Sequence, residues 1–280
     1  MPHIKSLFIS AYMSALTGAL IWSALTLWNA PASLGHWGVL LACGAPMAFF
    51  ARLFLTPVAR TSPRLDWIPL LGLIGSGIAL ATDGLGIPVA VAFVNGVLLS
   101  LAYIHWYSRF EAREGSALAV GEAMPDLTLL DLNGQALSTA SLTRQTALWI
   151  FFRGNWCPLC MAQIREVADE YRQLQARGVE VYLISPQPQE HSRSLAERFQ
   201  APMRFLQDVD NRAAARLGIL AEGGLPVGMQ VLGYDSDVPM PTVFITAPGG
   251  RIVYSDLTDN YRIRPEPAEF TKALDAAGLG

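Results

Sequence analysis

A long N-terminal stretch of this chain is almost without charge. Of 20 Lys+Arg and 23 Asp+Glu residues, only five lie between Ser6 and Ser108: Arg52, Arg60, Arg64, Asp66 and Asp83. A hydrophobic content of 52% therefore averages two unlike halves. Four apolar stretches without formal charge stand out, at residues 7–28, 34–51, 67–82 and 85–108. Crossing a bilayer core takes about 20 apolar residues, and most of the four reach or approach that length. The third is short and carries Gly72, Gly75 and Gly77. This pattern predicts three regions. Residues 1–110 form an all-α membrane domain of about four transmembrane helices, residues 111–119 are a linker, and residues 120–280 form a soluble domain.

Trp28, Trp37, Trp67, Trp106 and Tyr107 lie near the ends of the spans, as interfacial aromatics do. Gly18, Gly72, Gly75, Gly77 and Gly96 are expected to let helices approach closely. Lys5 precedes the first span, Arg52, Arg60 and Arg64 lie between the second and third, and Arg109 and Arg113 follow the fourth. The loops at 29–33 and 83–84 carry no Lys or Arg. The positive-inside rule then predicts an integral protein of a bacterial-type inner membrane with its soluble domain on the cytoplasmic face. The first apolar run is too long for a typical signal peptide. Within the spans, Cys43 reads as a packing residue, Asn95 as an interhelical hydrogen-bonding residue, and His105 as lying close to the interface. A transmembrane electron carrier would need a second membrane cysteine, and Cys43 stands alone there.

The soluble half alternates strand and helix signals. Residues 147–152 are a short apolar run suited to a central strand. Residues 157–177 have helical periodicity through Ile164, Val167, Tyr171 and Leu174, and Gly178 ends it. A strand at 179–185 and helices at 190–199 and 211–217 follow. Strands at 242–246 and 251–255 flank the turn Ala247-Pro248-Gly249-Gly250, and a helix closes at 267–277. Such an order gives a mixed sheet covered by helices.

The run Trp156-Cys157-Pro158-Leu159-Cys160 lies where the central strand hands over to the long helix. A Cys-x-x-Cys pair at that junction reads as a redox dithiol. Unpaired N–H groups and the positive end of the helix dipole favour thiolate, the species that attacks disulfides and peroxides. The first cysteine is expected to be the more exposed and the more acidic, hence the nucleophile, with Cys160 resolving. The opposite order, with Cys160 attacking peroxide and Cys157 resolving, stays open. Pro158 suits the first helical turn, where a missing N–H costs nothing.

Three further segments carry a family resemblance: Gly121-Glu122-Ala123-Met124-Pro125-Asp126-Leu127, Phe152-Arg153-Gly154-Asn155-Trp156-Cys157-Pro158-Leu159-Cys160, and Met240-Pro241-Thr242-Val243. Together they resemble the thioredoxin-fold domain of the peroxiredoxin-like group (alkyl hydroperoxide reductase/thiol-specific antioxidant, AhpC/TSA) over residues 120–277. The resemblance implies a thioredoxin-like α/β fold, a mixed sheet flanked by helices. It implies that Pro241 is cis, leaving the Met240 backbone beside Thr242 free to pair with an extended substrate. It also implies that Trp156 packs beside the motif. Peroxiredoxins carry Pro-x-x-x-Thr-x-x-Cys; with the last Cys on Cys160, the Thr position is Cys157 and the Pro position is Arg153. A second thiol thus replaces the peroxide-orienting hydroxyl. Gln163 stands where these proteins often carry Glu.

Arg153 is either a cation that stabilises thiolate or a solvated strand-end residue. Asp208 and Asp210 read as turn and cap residues. The Gly-rich apolar stretch 221–238 reads as an insertion that could be a lid, a partner surface or a flap on the bilayer. The function expected first is a membrane-anchored thiol–disulfide oxidoreductase using a Cys157–Cys160 couple. Its partners would be a protein or small-molecule disulfide, a thioredoxin- or glutathione-type reductant, and membrane lipid. The alternatives are a thiol peroxidase acting on hydrogen or lipid peroxides, and a non-catalytic redox-sensing or assembly protein. None of this chemistry requires a metal or organic cofactor, and a net charge of −3 offers no nucleic-acid footprint.

Overall fold

The structure, a computed structural model, describes residues 2–110, 113 and 117–279. Two compact units emerge. One takes in His3–Thr56 and Ser62–Arg109; the other takes in Pro57–Thr61 and Phe110–Gly280. Most of the linker expected at 111–119 (residues 111, 112 and 114–116) lies outside the described residues.

The first unit is helical: α1 (Pro2–Asn29), α2 (Gly35–Leu55), α3 (Trp67–Asp83), and a last run in which α4 (Ile87–Phe93) and α5 (Leu99–Ala102) alternate with π-helical turns at Val94–Leu98 and Tyr103–Tyr107. Among the described residues, three helices are long and apolar enough to cross a membrane, Ile4–Asn29, Gly35–Leu55 and Ile87–Tyr107. The stretch expected to be the short one, the third, is the helix that falls below that length. Helix α3 has 17 residues, about 25 Å at 1.5 Å per residue against a core of about 30 Å. Gly84, at φ 70°, ends it. Its glycines explain its packing. A Cβ on Gly72 would lie 2.2 Å from the Gly96 carbonyl oxygen, and one on Gly75 would lie 2.3 Å from that of Gly38. Gly18 and Gly77 meet nothing within 4 Å, so the close approach expected of them is absent. Leu25, Phe54, Leu70, Leu73 and Ile87 are exposed, an apolar exterior of the kind lipid would cover. Cys43 is buried; Tyr12 Oη donates to the Asn95 carbonyl at 3.1 Å and lies 2.8 Å from Ser100 Oγ.

The second unit is built on a mixed seven-stranded sheet of order β2-β1-β5-β4-β3-β8-β9. Its strands are β1 (Thr128–Leu130), β2 (Ala136–Ser138), β3 (Ala147–Phe151), β4 (Glu180–Ser185), β5 (Arg204–Gln207), β8 (Thr242–Thr246) and β9 (Ile252–Asp256), and a separate pair is made by β6 (Leu220–Ala221) and β7 (Val238–Pro239). Strands β3, β4 and β5 run parallel, joined through α7 (Pro158–Ala176) and α8 (Gln189–Phe199). Strand β8 pairs antiparallel with β3 and β9. Helices α6 (Thr139–Leu142), α9 (Arg212–Arg216) and α10 (Pro267–Ala276) complete the unit. All five residues of β3 are buried, as expected of a central strand. Trp149 on β3 donates from Nε1 to Thr246 Oγ1 at 2.9 Å and stacks on Phe244, tying β3 to β8. This places the C-terminal end of β3, and the loop after it, on a rigid sheet.

Strand β5 is not evident from sequence. Its four residues are too few for a period, and pairing with β4 defines it. The Met240–Pro241 bond, expected to be cis, is trans, since no described peptide bond is cis. The trans form is the intrinsically preferred one by about 0.5–1 kcal/mol, and the chain runs through it directly from β7 into β8.

Candidate redox site

Strand β3 ends at Phe151, and residues 152–156 lead into α7, with Cys157 as its N-cap and Pro158 in its first turn. Gly154 has φ 147°, and a Cβ there would lie 2.6 Å from Trp156 Nε1. Only glycine lets the indole fold back over this loop. Cys160 lies one turn on. The two sulfurs are 2.8 Å apart, both cysteines being free. The exposure expected for Cys157 is missing: it is 2% accessible and Cys160 is 0% accessible.

Burial of a thiolate demands a counter-charge. Arg264, itself buried, supplies it: Nη2 lies 3.4 Å from Cys160 Sγ and 3.9 Å from Cys157 Sγ. Its Nη1 donates to Gln163 Oε1 at 2.8 Å. Gln163 thus steers the arginine. Either sulfur could carry the proton between them. The nearer approach of Arg264 places the anion on Cys160 and makes Cys157 the donor.

The acidities follow from that arrangement. Burial pushes Cys157 well above the ordinary thiol value, and the hydrogen bond and charge of Cys160 push it further. Burial also works to raise Cys160. The Cys157 hydrogen bond, the Arg264 guanidinium, the Arg153 backbone and the Arg153 charge together outweigh it, bringing Cys160 down to about 5. The lowered pKa expected for Cys157 falls instead on Cys160. The helix terminus alone suggested the first cysteine, while the decisive cation approaches from another segment.

Arg153 is a buried cation rather than a solvated one. Its guanidinium lies 4.9 Å from the Trp156 ring centroid and 5.6 Å from that of Tyr261, and Nη2 donates to the Gly224 carbonyl. Tyr234 Oη donates to Asn155 Oδ1, and His191 stacks on Tyr234. Both Gly224 and Tyr234 belong to the 221–238 stretch, which therefore closes over the motif loop. Trp156 is partly buried beside the cysteines.

Met240, Pro241 and Thr242 are tied to their own chain. Met240 N–H donates to the Ile219 carbonyl at 2.7 Å, and Thr242 Oγ1 donates to the Met240 carbonyl at 2.9 Å. Arg113 reaches Thr242 Oγ1 at 2.9 Å and the Pro241 carbonyl at 3.4 Å. The Met240 backbone, expected to be free for a substrate, thus has both its N–H and its carbonyl engaged. Asp208 accepts from the N–H groups of Ala213 and Ala214, both at 2.8 Å, in the capping role expected; Asp210 pairs at the surface with Arg212.

Sequence reasoning missed Arg264. It lies 104 residues beyond Cys160, in a short basic run, Arg262-Ile263-Arg264.

Comparison with known proteins bears on the unit that holds the cysteines. Residues 120–255 match the model of the AhpC/TSA family. The thiol-disulfide oxidoreductase ResA of Bacillus subtilis is 24% identical over 163 residues, which cover 57% of this chain and 80% of ResA. Chloroplastic peroxiredoxin Q of Arabidopsis thaliana is 28% identical over 108 residues, covering 38% of this chain and 50% of that protein. The chain thus spans about half the length of the peroxiredoxin Q relative. Among solved structures, a peroxiredoxin 6 mutant of Arenicola marina superposes with a TM-score of 0.50 at 15% identity, over 57% of this chain and 73% of that one. At that identity the likeness is one of fold.

Proposed function

We propose that the chain, whose residues 120–255 match the AhpC/TSA family model, is a membrane-anchored dithiol enzyme that reduces hydroperoxides through Cys160 and resolves through Cys157. One observation carries the choice: Arg264 stands 3.4 Å from the Cys160 sulfur in a site where both sulfurs are buried. A small oxidant needs a smaller opening of the cover to meet such a thiolate than a folded protein disulfide does.

The Cys160 thiolate attacks the terminal peroxide oxygen. An S–O bond forms, the O–O bond breaks, and the leaving alkoxide takes the Cys157 proton. The new Cys157 thiolate attacks the Cys160 sulfenic sulfur. The S–S bond forms, and hydroxide leaves and gains a proton from solvent. A thioredoxin- or glutathione-type thiol then returns two electrons. The three long apolar helices support anchoring. Arg52 in the last turn of α2, with Arg60 and Arg64 between α2 and α3, supports a cytoplasmic face for the redox unit.

Rapid mixing of the reduced chain with hydrogen peroxide tests the assignment. The wild type should form a Cys157–Cys160 disulfide, Cys157→Ser should stop at Cys160 sulfenic acid, and Cys160→Ser should be inert. Peroxide consumption retained by Cys160→Ser would end this reading. A second reading, exchange with disulfides begun by Cys157, draws support from its N-cap position and from the ResA relative. With a disulfide substrate it expects Cys160→Ser to hold a mixed disulfide on Cys157 and Cys157→Ser to be inert.

A further inference from the structure

The unit that holds the cysteines includes Pro57–Thr61, a piece of the connection between α2 and α3. Its contacts converge on one place. Thr61 N–H donates to the Arg262 carbonyl at 2.9 Å, and Arg262 Nη1 returns a bond to Thr61 Oγ1 at 2.9 Å. Arg60 Nε donates to the Arg264 carbonyl at 3.2 Å, and its Nη2 reaches the Pro265 carbonyl at 3.4 Å. The other side of the same guanidinium grips both carboxylate oxygens of Glu166 on α7, with Nη1 to Oε1 at 3.2 Å and Nη2 to Oε2. Glu166 stands two turns along the helix that begins at Cys157.

Arg60 is therefore a planar clamp between the backbone of Arg264 and the helix that carries both sulfurs. A bidentate arginine–carboxylate pair fixes direction as well as distance. We propose that Arg60 is a positioning residue for the redox site: by holding the segment 262–265 against α7, it sets the distance between Arg264 and the Cys160 sulfur. The α2–α3 connection is then a working part of the dithiol centre, beyond any role of its helices as an anchor. This rests on the assignment of Cys160 as the buried thiolate.

The test uses the full-length reduced chain in detergent, with iodoacetamide as probe and the labelling rate at Cys160 mapped by mass spectrometry across pH. If Arg60→Ala lets the guanidinium recede by about 1.5 Å, the midpoint should rise by about one pH unit. Labelling below the wild-type midpoint should fall about tenfold. Arg60→Lys keeps the charge without the fork and should fall between. Arg177→Ala breaks the Arg177–Asp275 pair elsewhere in the same unit and should leave the midpoint in place. Should Arg60→Ala not accumulate, Glu166→Gln removes the clamp's anchor and is read in the same way. An unmoved midpoint in Arg60→Ala, or equal shifts in Arg60→Ala and Arg177→Ala, overturns the proposal. A wild type that forms no Cys157–Cys160 disulfide with peroxide overturns the functional reading itself, a separate result.

Discussion

Replacing Arg264 by Met removes the cation from the sulfurs while keeping a side chain of similar length. Two unit charges 3.4 Å apart interact by about 5 kcal/mol at an effective dielectric constant of about 20. At 1.36 kcal/mol per pH unit, that is between three and four units, roughly. Cys160 would move from about 5 to about 8.5, the value of a free cysteine. The direction follows from charge: a cation favours the anionic form, so its removal raises the midpoint. At pH 7 the thiolate fraction would fall from about 99% to about 3%, and the rate with hydrogen peroxide by about thirtyfold. The pH profile of the bimolecular rate, measured on full-length Arg264→Met and wild type, reads this directly. Above pH 9 the two profiles should converge. If the variant keeps a midpoint within one unit of the wild type, Arg264 does not hold the thiolate and the electrostatic argument fails. Arg264→Lys should recover part of the shift, since it keeps the charge and loses the paired geometry on Gln163.

Other outcomes follow from the same structure. Gly72→Leu forces a Cβ to 2.2 Å from the Gly96 carbonyl and should lower the thermal stability of the helical unit by about 1–3 kcal/mol or more, whereas Gly77→Ala, with nothing within 4 Å, should be neutral or slightly stabilising; circular-dichroism melts in detergent compare them. Asp208→Ala frees two buried N–H groups at the start of α9 and should cost about 1–2 kcal/mol in denaturant titrations. Tyr234→Phe removes the hydroxyl that bonds Asn155, at a cost of about 0.5–1.5 kcal/mol of closure. Bulky maleimides should then label Cys157 about threefold faster or more, while equal rates would show that the 221–238 stretch does not limit access.

Much of the redox unit is legible from local chemistry. A strand at 147–151, a helix started by Pro158, and two cysteines on its first turn are set by apolar runs, propensity and the missing N–H of proline. The Cys-x-x-Cys spacing by itself sets the sulfurs within reach of one another. The charge-poor half and its helices are equally local properties, since an apolar run of about 20 residues is long enough to cross a bilayer as a helix. The length of α3 was legible too, read as 67–82 and found as Trp67–Asp83, where Gly84 ends it.

What the sequence did not determine is which sulfur holds the proton. That depends on a difference of 0.5 Å between two distances to one guanidinium, 3.4 and 3.9 Å, from a residue more than a hundred positions away. The clamp by Arg60 is more distant still along the chain, and the short strand β5 exists through its pairing with β4. Periodicity and propensity act over a few neighbours, so the chain alone specified its elements and its chemical class. Electrostatics in a buried site depends on which groups the folded chain brings together, so only the tertiary arrangement brought Arg264, bonded to Gln163, up to the two sulfurs and closer to Cys160 than to Cys157.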